Sequence, residues 1–238
     1  MKWNKKGTIG LRRTALEVKR YRMMMRIIPI AVGCATMAMA LLYAVTVMYT
    51  KYGSFTVTVN KFDSVKYALT LSETPEFVEP IARLNCKAAE EITNIDGKAL
   101  PKDLDMINGE HNGENYVAYT FYCKNAGEET VTYEHQIVIA NMTLDIEKAV
   151  RVRLYVNGEP TDYARTRSDG TGPEPGTVEF VNEGVVARGQ IAGFEPGEIT
   201  KYTVVIWLEG NDPECLDNIL GGEFKIDMSM SIVGIEEN

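Results

Sequence analysis

The chain changes its hydrophobic rhythm twice. From Ile27 to Tyr49 it reads IIPIAVGCATMAMALLYAVTVMY, without a charge between Arg26 and Lys51. A helix of that length, rising about 1.5 Å per residue, crosses the roughly 30 Å hydrocarbon core of a bilayer. Hydrocarbon cannot solvate side chains or free backbone groups, so such a run is stable there only as a helix. Pro29 falls near the start, and Tyr43, Tyr49 and Tyr52 lie at the interfacial end. Ahead of it, Leu11, Ala15 and Val18 form a short helical stripe in residues 2–26.

Beyond the run the period drops to two. In Phe55-Thr-Val-Thr-Val59, Phe55, Val57 and Val59 alternate with threonines, which predicts a strand. It follows the apolar run so closely that the domain it opens is expected near the bilayer surface. Strands are also predicted at Val65–Ser72, Tyr116–Cys123, Thr130–Ala140, Ala149–Val156, Val178–Val181, Val185–Gln190, Thr200–Leu208 and 223–232. The turn at Asn125-Ala-Gly127 suggests that 116–123 and 130–140 pair as a hairpin, and Asn157-Gly158 is a second turn signal. Residues 200–208 are apolar on both faces, which suits a central strand or one under a covering loop. A short helix is expected over Ala82–Ile92, and loops over 97–115 and 162–177. Seven to nine strands, with no sustained helix after residue 50, predict an all-β protein: one jelly-roll or Ig-like β-sandwich after a single transmembrane helix. The expected parts are a basic segment 1–26, a signal-anchor helix 27–49 and a sandwich domain 50–238.

Charge adds direction. Residues 1–26 hold nine basic side chains against Glu17 alone, a net of +8; the rest of the chain carries −16. Basic flanks of a membrane helix stay cytoplasmic, which places the N-terminus inside and the domain outside a plasma membrane. Ala38-Met39-Ala40 could be a signal cleavage site, but the apolar run continues past it, so an uncleaved anchor is the expectation. An acidic domain argues against nucleic acid as a partner. The membrane through residues 27–49, other surface proteins and further copies of the chain are the expected partners.

Candidate chemistry is sparse. Cys34 lies in the apolar run, whereas Cys86, Cys123 and Cys215 follow it, an odd number that allows one disulfide, with Cys215 pairing either Cys86 or Cys123. Glu209, Asp212, Glu214 and Asp217 form an acidic Gly/Pro turn that would serve as a calcium site if the carboxylates converged; otherwise they are solvated acids. Asp103-Leu-Asp105-Met-Ile-Asn108-Gly109-Glu110 partly follows a calcium-loop spacing. The two histidines, His111 and His135, do not make a His-Glu-x-x-His zinc motif. Neither a nucleophile elbow nor a phosphate-cradling glycine loop occurs, so no catalytic residue and no required cofactor is assigned.

Two local patterns carry a family likeness. Tyr119-Thr-Phe-Tyr-Cys-Lys-Asn125-Ala-Gly127 is a strand running into an Asn-x-Gly turn, and Phe194-Glu-Pro196-Gly197-Glu198 with Lys201-Tyr202-Thr203 is a Pro-Gly corner followed by a tyrosine. With an apolar N-terminal helix and the Phe55–Val59 strand after it, the layout resembles the TasA/camelysin-like surface proteins of Gram-positive bacteria. It departs from them in the long basic segment and the anchor. The resemblance implies a jelly-roll-like sandwich and, for some members, assembly into biofilm matrix fibres. Through camelysin it implies a metallopeptidase, for which His111 and His135 are the available ligands. The expected function is a single-pass, non-catalytic cell-surface protein with a structural or interaction role, self-associating by strand addition through Phe55, Val57 and Val59. A metallopeptidase and a calcium- or ligand-binding surface module are the alternatives.

Overall fold

The computed structural model describes residues 15–51, 55–59, 68–86 and 92–235. Tyr52, the first residues of the strand expected from Val65, most of the second half of the helix expected at 82–92, and Leu11 lie outside the described residues. The chain divides into two units, Met1–Tyr49 and Thr50–Asn238.

The first unit holds all but the last two residues of the helix α1 (Ala15–Lys51), which includes Pro29. Its segment Met25–Tyr43 is long and apolar enough to cross a membrane, and no other described helix is. The described side chains from Met25 to Tyr43 are all exposed, as a lipid-facing surface requires.

The second unit is a two-sheet sandwich. Its strands are β1 (Phe55–Val59), β2 (Leu69–Ser72), β3 (Arg83–Cys86), β4 (Gly109–Glu110), β5 (Tyr116–Asn125), β6 (Val131–Met142), β7 (Val150–Val156), β8 (Glu159–Ala164), β9 (Val178–Glu179), β10 (Val185–Phe194), β11 (Ile199–Leu208) and β12 (Phe224–Ile235). One sheet runs β10-β6-β12-β1-β3; the other runs β2-β5-β11-β7-β8-β9, with β4 also on β5. Alternation decides which side chains point inward. In β12, Ile226, Met228, Met230 and Ile232 are buried between half-exposed Asp227, Ser229 and Ser231. Phe121, Tyr202 and Val204 meet them from the opposite sheet in one core.

Strand β11 is buried on both faces for a separate reason. Residues 95–104 fold back over the outer surface of its sheet, where Leu100 and Leu104 cover Ala118, Tyr155, Val205 and Trp207. The expected surface loop 97–115 is therefore partly a lid, and Leu104 is fully buried. Asn157 and Gly158, at φ 53° and 91°, give the left-handed pair that a tight hairpin between β7 and β8 requires.

Four sequence expectations are corrected. Arg83–Cys86 is a strand rather than the start of a helix, alternating exposed and buried. Its partner is β1, and such a period of two cannot be placed on a helix face. Strands β5 and β6 do not pair, since β6 lies in the other sheet between β10 and β12. The cause is Asn125, 1% exposed, whose amide donates to Glu129 O (2.9 Å) and Phe194 O (2.8 Å) while its Oδ1 accepts from Gly127 N (2.9 Å). These bonds fix a corner that carries the chain across the sandwich. Residues 162–164 belong to β8, not to a loop, because the hairpin turn pairs them with β7. Finally, β10 continues to Phe194, across a bulge that hides the alternation.

Candidate functional site

Strand β1, marked in the sequence as a strand-exchange candidate, is not an edge. It lies between β12 and β3. Phe55, Val57 and Val59 stand opposite Ile226, Met228 and Met230 in parallel register, and Phe55 to Thr58 face Cys86 to Arg83 antiparallel. Val57 is fully buried and Val59 nearly so. The first strand of the domain thus fills a slot beside its last strand, so removing it would uncover two ladders at once.

The acidic turn does not gather its carboxylates. Asp212 is 7% exposed and forms a buried ion pair with Arg151, whose guanidinium also donates to Val150 O (3.0 Å). Glu209 accepts from Trp207 Nε1 and Gly97 N, each at 3.0 Å. Glu214 accepts from Ser168 N at 2.8 Å, and Asp217 opens a short 3-10 helix. Among the described residues no group of three or more His, Cys, Asp or Glu side chains is placed to hold a metal. The carboxylates do not converge: a buried arginine takes Asp212, Glu209 holds Gly97 and Glu214 holds Ser168. The second calcium-like stretch is likewise structural. Asp105 meets Lys201 Nζ (3.6 Å), Asn108 accepts from Tyr122 Oη (2.6 Å), and Glu110 accepts from Asn112 (3.0 Å).

None of the four cysteines is in a disulfide. Cys86 and Cys123 point into the core from opposite sheets. Burial pushes the Cys123 thiol well above its ordinary pKa, which keeps it protonated and unreactive. Cys215 sits half-exposed in the acidic turn, 3.6 Å from the Asn94 amide.

The histidines fall in different places. His111 follows β4 with its Nδ1 2.8 Å from Gly109 O. His135 lies in β6 facing the core, 6% exposed, and its Nδ1 is 3.2 Å from Tyr202 Oη. Tyr202 Oη lies 2.8 Å from Tyr133 Oη, which completes a buried polar chain joining the two sheets. Burial lowers the His135 pKa to about 4, only partly opposed by Glu134. Burial also raises both tyrosines above their ordinary range. This chain was partly legible in the sequence, since Tyr133, His135 and Ile137 share one face of β6; its partner Tyr202 was not.

A cleft of about 460 Å³ is lined by Thr70, Phe77, Pro80, Lys124, Asn125 and Gly197, among others. Lys124 Nζ lies 5.6 Å from the Phe77 ring centroid. The Asn125 side chain is spent on the corner described above, which leaves the cleft few convergent polar groups.

No family model and no curated protein matches the chain. Among solved structures, a β-glucosidase from Kluyveromyces marxianus in complex with glucose aligns over 55% of this chain at 10% identity and a TM-score of 0.26. A GH31 α-xylosidase from Xanthomonas citri aligns over 51% at 12% identity and a TM-score of 0.23. The aligned part spans only 14% and 12% of those two chains, and likenesses this weak carry no argument about fold or activity.

Proposed function

We propose that the protein is a single-pass surface protein whose role is structural or interactive rather than catalytic. In this reading α1 is anchored in the plasma membrane of a Gram-positive bacterium, the basic N-terminus is cytoplasmic, and the sandwich is outside. Copies associate when β1 of one occupies the β1 slot of another. The observation that carries the reading is the seat of β1. It is a five-residue strand at the start of the domain, held between β12 and β3 by backbone ladders and by Val57 and Val59. A neighbour's β1 has the same sequence and fits the same slot, so exchange conserves every contact and costs little beyond association entropy. The charge asymmetry about the apolar helix supports the orientation.

The test is deletion of residues 54–60 from the full chain, followed by sedimentation in detergent micelles. The shortened chain is expected to lose the oligomers and to regain thermal stability when a synthetic 54–60 peptide is added. Oligomers that persist after the deletion would sink the exchange reading.

A further inference from the structure

We propose that one end of the sandwich rests on the bilayer with Leu144 and Leu220 set into the headgroup layer, a role that rests on the anchored reading of α1 but not on strand exchange. Two turns make this surface, one after β6 and one before β12, and they are knit to each other. Thr143 N donates to Glu223 O (3.0 Å), and Glu223 N donates to Thr143 Oγ1 (2.8 Å). A Cβ at Gly222 would lie 2.9 Å from Ile219 O and 3.1 Å from Thr143 O, so no side chain fits between the two backbones. Each turn buries one isoleucine and exposes one leucine. Ile146 and Ile219 are 7% and 5% exposed, whereas Leu144 and Leu220 are 54% and 72% exposed. Leu144 and Asp145 both sit at φ 57°, a left-handed backbone that bulky residues avoid. Strain of this kind gathers at functional surfaces, and here it accompanies a leucine left in the open.

Exposed apolar side chains occur elsewhere, at Val78 and Met106 for example. What singles out Leu144 and Leu220 is their place along the chain's path. β1 and β12 run parallel with Phe55 opposite Ile226, and Phe224, two residues before Ile226, faces Met142. The two turns therefore stand about 7 Å beyond Phe55, on the side from which the chain enters β1. Tyr49, the last residue of the apolar run, is six residues before Phe55, a reach of at most about 20 Å. In an anchored chain the bilayer surface is thus within reach of the turns. Their leucines, with half-exposed Met142 beside them, offer the apolar surface that settles into the boundary between headgroups and acyl chains. Charge does not drive the contact, because Asp145 is paired with Lys148 at 2.9 Å and Asn141 donates to Glu223 at 3.1 Å. Such a contact needs neither anionic lipid nor low salt.

The test uses the full chain with Cys34→Ala and Cys215→Ser, in which the two remaining cysteines are buried. A fluorophore is attached at Leu144→Cys, Leu220→Cys, Met37→Cys or Glu195→Cys, one at a time, and the protein is reconstituted in phosphatidylcholine vesicles carrying a nitroxide-labelled lipid. Exposed Glu195 follows β10 at the opposite end of the sandwich and is the reference, while Met37 in α1 reports the anchor. Fluorescence is expected to be quenched at 37, 144 and 220 and not at 195, in high salt as in low. Quenching at 37 without quenching at both 144 and 220 overturns the proposal and leaves the anchor standing; absence of quenching at 37 overturns both. Quenching at 144 and 220 that fades as the protein is diluted in lipid assigns the patch to a second copy and also overturns the proposal. With the fluorophore at Met142→Cys, Leu144→Ser/Leu220→Ser is expected to abolish quenching there, and quenching that survives the serines overturns the role of the two leucines. Each labelled position on the sandwich is exposed, and an unchanged melting temperature confirms the fold.

Discussion

His135 makes folding stability depend on pH in a calculable way. In the unfolded chain its imidazole takes a proton near pH 6.5; in the folded core it resists protonation down to about 4. Above 6.5 both states hold the ring neutral and the residue adds no pH dependence. As pH falls below 6.5 the unfolded state gains a proton that the folded state refuses, and stability is lost. The loss is complete at about pH 4, where the folded state protonates as well. A separation of this size corresponds to about 3 kcal/mol in full, of which about 2 kcal/mol is already lost near pH 5. Little solvent screening reduces it, since the residue is 6% exposed and its ring packs edge-on against Tyr202 at 5.3 Å. His135→Gln keeps a polar group for Tyr202 Oη and cannot titrate. The assay is thermal unfolding of the full chain in nonionic micelles, followed by fluorescence of buried Trp207, from about pH 7 to about pH 5. Acidic side chains contribute equally to both proteins, so the difference between their slopes isolates His135. For a unit of this size about 2 kcal/mol corresponds to roughly 4–8 °C, which is the extra fall expected of the wild-type chain. Parallel slopes would refute the assignment of a neutral, buried imidazole.

Two further outcomes follow from the same geometry. Asp212→Ala strands the Arg151 guanidinium in a site where both side chains are 3% exposed, and is expected to cost about 3–5 kcal/mol in urea unfolding. Replacing both partners, as Arg151→Met/Asp212→Leu, is expected to cost less, and a double variant worse than Asp212→Ala would contradict the explanation. Gly158→Ala forces an alanine to φ near 91°, where its Cβ would meet Asp105 Oδ2 at an ordinary 3.7 Å, so backbone strain should lower stability by about 1–2 kcal/mol; an unchanged melting temperature would mean that the turn adopts another conformation.

What could be read before folding depended on how local each signal is. The apolar run needs no partner to be recognised, because its length and lack of charge are sufficient. The β-rich domain was equally plain, since Ile226, Met228, Met230 and Ile232 alternate over a whole strand and Asn157-Gly158 specifies its own hairpin. Arg83–Cys86 was misread because four residues are too few to establish a period. The candidate site was less legible. Glu209, Asp212, Glu214 and Asp217 cluster in sequence, and only the position of Arg151 on a neighbouring strand decides that Asp212 is buried and paired while Glu209 and Glu214 hold separate loops.

One membrane-length helix, a domain of alternating strands and a basic segment ahead of an acidic domain are thus properties carried by neighbouring residues, legible before any tertiary contact forms. Tertiary structure alone decided that β1 lies inside a sheet while β10 lies at its end. It also decided that β5 and β6 part at Asn125 and that His135 meets Tyr202 across the core. Strand order follows from which distant ladders close and which faces can be buried together, and alternation along a single strand is the same whichever neighbour it acquires.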